Sequence, residues 1–174
     1  GAGKTTLFNL ISGAQPPTAG RVVFEGEDVT RLPPEAKAAR GLVRTFQLVK
    51  LFADLTAAEN VAVGTHLKTR GGFLSAVCRP PSIRRMEAGI AARSRELLDL
   101  VGLGAVADRK AATLSYGRQR LLEVARALAA EPKLLLLDEP AAGLNAEESA
   151  RLSEVIRKIA ASGTSVLLIE HDMT

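Results

Sequence analysis

The sequence predicts an α/β fold with a mainly parallel sheet and an inserted helical subdomain, and three observations carry that expectation. Leu134-Leu135-Leu136-Leu137 is an apolar run without alternation, the pattern of a strand buried on both faces, and it ends on the adjacent carboxylates Asp138 and Glu139 before Pro140. A helical segment opened by Asn145 and a second apolar run, Ser165-Val166-Leu167-Leu168-Ile169, follow it, which makes a parallel strand–helix–strand crossover. The middle of the chain, from about residue 50, is helical in pattern and offers no strand, as a separate layer of helices would.

The elements read in order as follows. Thr5 to Ile11 is a first helix closed by Ser12-Gly13, and the stretch Gln15–Gly20 is a turn-rich connection. Arg21 to Glu25 is a strand turning at Gly26. Pro33-Pro34 starts a short helix that ends near Gly41, and Leu42 to Phe46 is a second strand. Thr56-Ala57-Ala58-Glu59 is a capping box that opens the next helix. Glycines and prolines mark 69–82 as a loop. Ile83 to Val101 carries a helical stripe through Met86, Ile90, Leu97 and Leu98. A further helix runs from Gly117 to about Ala130 with Leu121, Leu122, Val124, Ala125 and Leu128 inward. The helix after Asn145-Ala146-Glu147-Glu148 turns Leu152, Val155, Ile156 and Ile159 inward and ends at Ser162-Gly163.

The 174 residues are read as a single domain (1–174), with a helical subdomain at about 50–115 and an α/β core from the remainder. A hydrophobic fraction of 47% supports a core, and 3% aromatics make that core aliphatic. The net charge of +4 suits a polyphosphate or an anionic membrane face, but no basic stripe with interleaved aromatics points to nucleic acid. Cys78 is the only cysteine, so it has no partner for an internal disulfide, and a reducing compartment fits best. No apolar run approaches the ~20 residues of a bilayer crossing.

Gly1-Ala2-Gly3-Lys4-Thr5-Thr6 matches the back half of the phosphate loop G-x-x-x-x-G-K-[ST]. Its glycines let backbone N–H groups face a phosphate, Lys4 neutralises β- and γ-oxygens, and the Thr5 hydroxyl is placed to ligate Mg²⁺. Because the motif starts before Gly1 and the chain stops at Thr174 soon after a strand, the reading is of a domain incomplete at both ends, its N-terminal strands absent. Asp138 and Glu139 stand at the carboxyl edge of a buried strand, where ligands bind in open α/β sheets. Asp138 is expected to hold Mg²⁺ through water and Glu139 to polarise an attacking water. Ser115 and Gly117, in Leu114-Ser115-Tyr116-Gly117-Arg118-Gln119-Arg120, offer a hydroxyl and a backbone amide at a helix start, a further anion site.

Lys4-Thr5, Gln47, Leu114 to Gly117, Leu134 to Pro140 and His171 occur in the order of the motifs of ABC-type ATPase domains, and the chain resembles that family. The resemblance implies a P-loop NTPase fold and the cofactors ATP and Mg²⁺. It implies nucleotide binding by Gly1, Ala2, Gly3, Lys4, Thr5 and Thr6, metal binding by Thr5, Gln47 and Asp138, and catalysis by Glu139, Gln47 and His171. Ser115 and Gly117 would close in trans over the γ-phosphate held by a second ABC ATPase subunit. Transmembrane permease subunits, and indirectly a solute-binding protein, are the further partners implied, with no nucleic acid. The subunit would sit peripherally on the cytoplasmic face of the inner membrane. The segments Arg44-Thr45-Phe46-Gln47-Leu48, Leu51 to Thr56, Glu59-Asn60-Val61 and Ala141 to Asn145 resemble the ATP-binding subunit of branched-chain amino acid importers.

Two positions depart from the family pattern: Arg118 stands where the general signature has Gln, and Asn145 where many members have Asp. Alternatives of the same family are a lipopolysaccharide exporter or a urea importer. A soluble ABC ATPase acting on DNA or ribosomes is the alternative from another class. About 110 residues between Lys4 and Ser115 are too few for the long coiled-coil arms of chromosome-type members plus a sheet. His66 and Cys78 are read as structural.

Overall fold

The computed structural model describes residues 3–45, 51–65 and 81–170, the side chains of 81–84 excepted. Gly1, Ala2, Gln47, His66, Cys78 and His171, and most of the loop expected at 69–82, lie outside the described residues. The elements in chain order are α1 (Lys4–Ser12), β1 (Val23–Phe24), β2 (Glu27–Asp28), α2 (Pro34–Ala38), β3 (Leu42–Arg44), α3 (Ala57–Thr65), α4 (Pro81–Leu100), α5 (Tyr116–Leu128), β4 (Leu134–Asp138), α6 (Ala146–Ala161) and β5 (Ser165–Ile169). They fall into two compact units, one formed by Gly1–Leu48 with Pro132–Thr174, the other by Val49–Glu131.

The first unit carries a parallel sheet in the order β3-β4-β5, with Leu42 opposite Leu134 and Asp138 opposite Ile169. The central position of β4 explains its unbroken leucine run, since Leu135, Leu136 and Leu137 have no exposed surface. Helix α1 packs on β3 and β4, and α6 on β5. Phe8, Leu42, Leu136 and Ile169 form the core between α1 and the sheet. At 16 residues α6 is the longest helix of this unit, and Asn145 with Glu148 closes its start in a reciprocal capping box. Leu167 and Leu168 of β5 remain exposed.

The strand expected over Arg21–Glu25 is shorter than its sequence pattern. Val23 and Phe24 form the antiparallel ladder with β2; at Val22 the carbonyl still accepts from the Val29 amide at 2.9 Å, but the Val22 amide goes to the Thr30 hydroxyl at 2.8 Å instead of a backbone partner, and the ladder stops there. Glu25 (φ 53°) and Gly26 (φ 79°) supply the two left-handed residues such a two-residue turn requires. Of the strand expected over Leu42–Phe46, β3 comprises Leu42–Arg44, the Thr45 amide still donates to the Leu136 carbonyl at 3.0 Å, and Phe46 lies outside the described residues.

The second unit is helical among its described residues, with one isolated antiparallel bridge between Thr56 and Lys110. Helix α3 packs against both α4 and α5. Its start is the expected capping box: the Glu59 carboxylate accepts from the Thr56 amide at 2.7 Å, and the Thr56 hydroxyl accepts from the Glu59 amide at 3.2 Å. Asn60, fully buried, accepts from the Phe52 amide and donates to the Phe52, Leu55 and Thr56 carbonyls, fastening the preceding loop to α3. The inward residues expected for α5 are buried. The stripe expected along α4 holds only in part: Leu97 and Leu98 are buried, whereas Met86 is 51% exposed. A nine-residue α3 is about 14 Å long and cannot cover a 20-residue α4 of about 30 Å, and the covered part carries Ser94, Leu97 and Leu98.

Candidate functional site

Helix α1 begins without a side-chain cap, at Gly3 in a left-handed conformation (φ 111°). By contrast α3, α5 and α6 all start on a hydroxyl or amide side chain that occupies their first-turn donors. Among the described residues no side chain caps the first-turn amides of α1, which lie at the positive end of the helix dipole, the physical requirement of a phosphate site. Lys4, Thr5 and Thr6 are all exposed in that turn. Lys4 Nζ donates to the Glu170 carbonyl at 3.3 Å, which puts the cation at the end of β5.

The carboxyl ends of β4 and β5 meet at this edge. Asp138, the last residue of β4, is 2% exposed. Glu139 follows with φ 46°, a left-handed conformation that a non-glycine residue rarely adopts and that clusters at functional positions. Its amide donates to the Ile169 carbonyl at 2.9 Å and its carbonyl accepts from the Ala142 amide at 3.1 Å, so a turn begins at Glu139. The Glu170 side chain braces the same turn, Oε1 accepting from the Ala141 amide at 3.1 Å.

Sequence reasoning missed two participants. Glu170 stands immediately after an apolar strand, at the same edge position as Glu139 after β4, and that placement was its only signal. Arg44 closes β3 after two buried apolar residues and is itself nearly buried, so it needs a counter-charge. That counter-charge is Asp138, with Arg44 Nη2 to Asp138 Oδ2 at 2.6 Å.

The first unit thus carries Lys4 and Thr5 on α1, Asp138 at the end of β4 and Glu139 directly after it. Ser115 and Gly117 belong to the second unit, at the start of α5. The Ser115 hydroxyl caps that helix, accepting from the Arg118 amide at 3.4 Å, and Gly117 is buried. Gln119 turns back on its own unit and donates to the Ala111 and Leu114 carbonyls at 3.1 and 3.3 Å, while Arg118 is exposed. The departure at Arg118 therefore leaves an arginine at the solvent side of this helix start. Asn145 caps α6.

Among the described residues no cluster of three or more His, Cys, Asp or Glu could hold a metal ion. Thr5 and Asp138 supply oxygen donors only. That donor set fits Mg²⁺, which is held by one or two protein oxygens together with phosphate oxygens and water.

An uncapped glycine-led helix start bearing Lys and Thr, joined at the carboxyl edge of a parallel sheet by two acidic residues, defines a nucleotide-phosphate-binding α/β domain. The family model described as ABC transporter matches residues 1–142, and the chain belongs to that family. High-affinity branched-chain amino acid transport ATP-binding protein BraF of Pseudomonas aeruginosa is 44% identical over 174 residues, covering 99% of this chain and 68% of BraF. Among solved structures, MJ1267, an ATP-binding cassette of an ABC transporter, superposes with a TM-score of 0.82 at 31% identity, covering 99% of this chain and 67% of that one. The ATP-binding cassette MJ0796, a dimer in a post-hydrolysis state bound to ADP and Pi, superposes with a TM-score of 0.76 at 27% identity over 98% of this chain and 71% of that one. The fold expected from sequence is the fold of these cassettes, and the chain is an ATPase domain of the ABC family.

Proposed function

We propose that the chain is the ATP-hydrolysing subunit of an ABC importer for branched-chain amino acids. The observation that carries the chemistry is the bond from Lys4 to the Glu170 carbonyl at the carboxyl end of β5, the strand whose last residue, Ile169, pairs with Asp138 and accepts from the Glu139 amide. The identity to BraF supports the substrate class.

In this reading the α1 amides and the loop Gly1-Ala2-Gly3-Lys4-Thr5-Thr6 hold the nucleotide phosphates. Thr5, Asp138 and Gln47 would hold Mg²⁺, which when bound would supply positive charge to neutralise the phosphates. Glu139 orients the attacking water, its backbone held in place by the turn over β5, and Gln47 and His171 contact the water and the γ-phosphate. Ser115 and Gly117 of a second subunit, identical or paralogous, cover the γ-phosphate from the opposite side. The dimeric MJ0796 cassette supports such pairing. ATP then favours the closed pair and hydrolysis releases it, a two-state population change passed on to transmembrane permease subunits. The assembly would stand at the cytoplasmic face of the inner membrane and receive its solute from a binding protein.

In the full-length protein Glu139→Gln should keep ATP binding and lower hydrolysis by at least ~10²-fold. Undiminished hydrolysis would contradict the role of Glu139. With its permease subunits in proteoliposomes, ATP-driven uptake of leucine, isoleucine or valine is expected. ATP-driven movement of urea or of lipopolysaccharide in place of these amino acids would move the chain to one of the other transporter classes.

A further inference from the structure

We propose that Arg44 is a positioning residue that keys the Asp138 carboxylate to the helix carrying Lys4 and Thr5. The proposal rests on the assignment of Asp138 to the metal site made above. The Arg44 guanidinium makes three directed bonds. Nη1 donates to Asn9 Oδ1 at 2.7 Å and to Ser12 Oγ at 3.1 Å, and Nη2 donates to Asp138 Oδ2 at 2.6 Å. Its centre also lies 5.7 Å from the centroid of the Phe8 ring, itself 1% exposed.

Phe8, Asn9 and Ser12 all belong to α1. Asn9 is four residues beyond Thr5 and Ser12 three beyond Asn9, so all three stand along one face of the helix. One planar group therefore grips the helix that presents Lys4 and Thr5 with one nitrogen and the strand that presents Asp138 with the other. Committing Oδ2 to Arg44 fixes the rotamer of the carboxylate and leaves Oδ1 to face a second partner.

The pair is well buried, with the Arg44 side chain 14% and the Asp138 side chain 1% exposed. Burying two charges costs about as much desolvation as their attraction returns, so stability alone is a poor account of the pair. Placement is a better one, because outer partners of metal-binding carboxylates orient them and tune their affinity. Only arginine suits the arrangement: a lysine ammonium reaching Asp138 has no second arm in fixed geometry for Asn9 and Ser12.

The test uses the full-length protein and Mn²⁺ as a paramagnetic substitute for Mg²⁺. Electron paramagnetic resonance measures Mn²⁺ affinity in the presence of ADP, and ADP affinity is measured separately in EDTA. Arg44→Met should weaken Mn²⁺ binding by about 10-fold or more, with metal-free ADP affinity unchanged. Arg44→Lys should recover only part of the loss. Asn9→Ala, which loosens one arm and spares the core, should weaken Mn²⁺ in the same direction by less, and non-additively with Arg44→Met; it decides the matter alone if Arg44→Met does not fold.

Unchanged Mn²⁺ affinity in both Arg44→Met and Asn9→Ala, alongside a loss in Asp138→Asn, would overturn the positioning role and leave the metal assignment standing. Full rescue by Arg44→Lys, or an equal loss of metal-free ADP binding, would also overturn it. If Asp138→Asn has no effect on Mn²⁺, the metal assignment itself falls and takes the role of Arg44 with it.

Discussion

Lys37 Nζ donates to the Ile11 carbonyl at 2.9 Å and to the Leu10 carbonyl at 3.2 Å, so a side chain with no exposed surface caps the carboxyl end of the phosphate-loop helix. The ammonium satisfies two of the acceptors that a helix end leaves over, and its charge complements the dipole there. Lys37→Met keeps the aliphatic stem and strands both carbonyls. It should destabilise the protein by about 1–3 kcal/mol in urea unfolding. Burial holds the Lys37 ammonium below its ordinary 10.5. The folded protein then releases this proton before the unfolded chain does, so the stability linked to this group is complete above 10.5 and falls as pH drops through the lowered value. The stability gap between wild type and Lys37→Met should accordingly widen as pH rises toward 10.5. A gap that stays flat would show that the amine is better solvated than its burial implies.

Helix α3 meets α5 at Gly64, where an added Cβ would run into the Arg126 carbonyl oxygen and stand 2.9 Å from Ala129 Cβ. Backbone cannot yield there as a flexible side chain would. Gly64→Ala should push the two helices apart and cost about 1–3 kcal/mol, read as a lowered urea midpoint. A control at Gly89, whose added Cβ meets nothing within 4 Å, should be neutral or slightly stabilising. Equal behaviour of the two variants would mean that α3 and α5 are not in close contact at Gly64.

What was legible in the sequence was what is local. The capping boxes Thr56–Glu59 and Asn145–Glu148 span four residues each and form as read. The leucine run of β4 announced a central strand because both faces of such a strand are covered. Lys4-Thr5 and Asp138-Glu139 stand out in the sequence as candidates because phosphate chemistry demands those residue types in fixed order. Arg44 and Asp138 are 94 positions apart, and Lys37 is 26 from Ile11, so no local pattern links them. The same limit misplaced Met86: periodicity marks an apolar face along α4 but says nothing of how far a neighbour reaches along it.

Glu170 acts on both sides of the site, its carbonyl accepting from Lys4 Nζ and its carboxylate from the Ala141 amide. Ala141 lies two residues beyond Glu139, inside the turn closed by the Ala142 amide and the Glu139 carbonyl at 3.1 Å. That turn holds Glu139 at φ 46°, a conformation that persists only where its surroundings enforce it. Glu170→Ala removes the carboxylate brace and leaves the carbonyl that Lys4 uses. The loss should therefore fall on the orientation of Glu139 and not on phosphate binding. In ATP hydrolysis kcat is expected to drop by about 10- to 100-fold, with KM for ATP changed little. Glu170→Gln keeps an oxygen acceptor for the Ala141 amide and should recover most of that rate. A rise in KM with unchanged kcat would assign Glu170 to Lys4 instead, and a Gln variant no better than Ala would remove the hydrogen bond to Ala141 from the account.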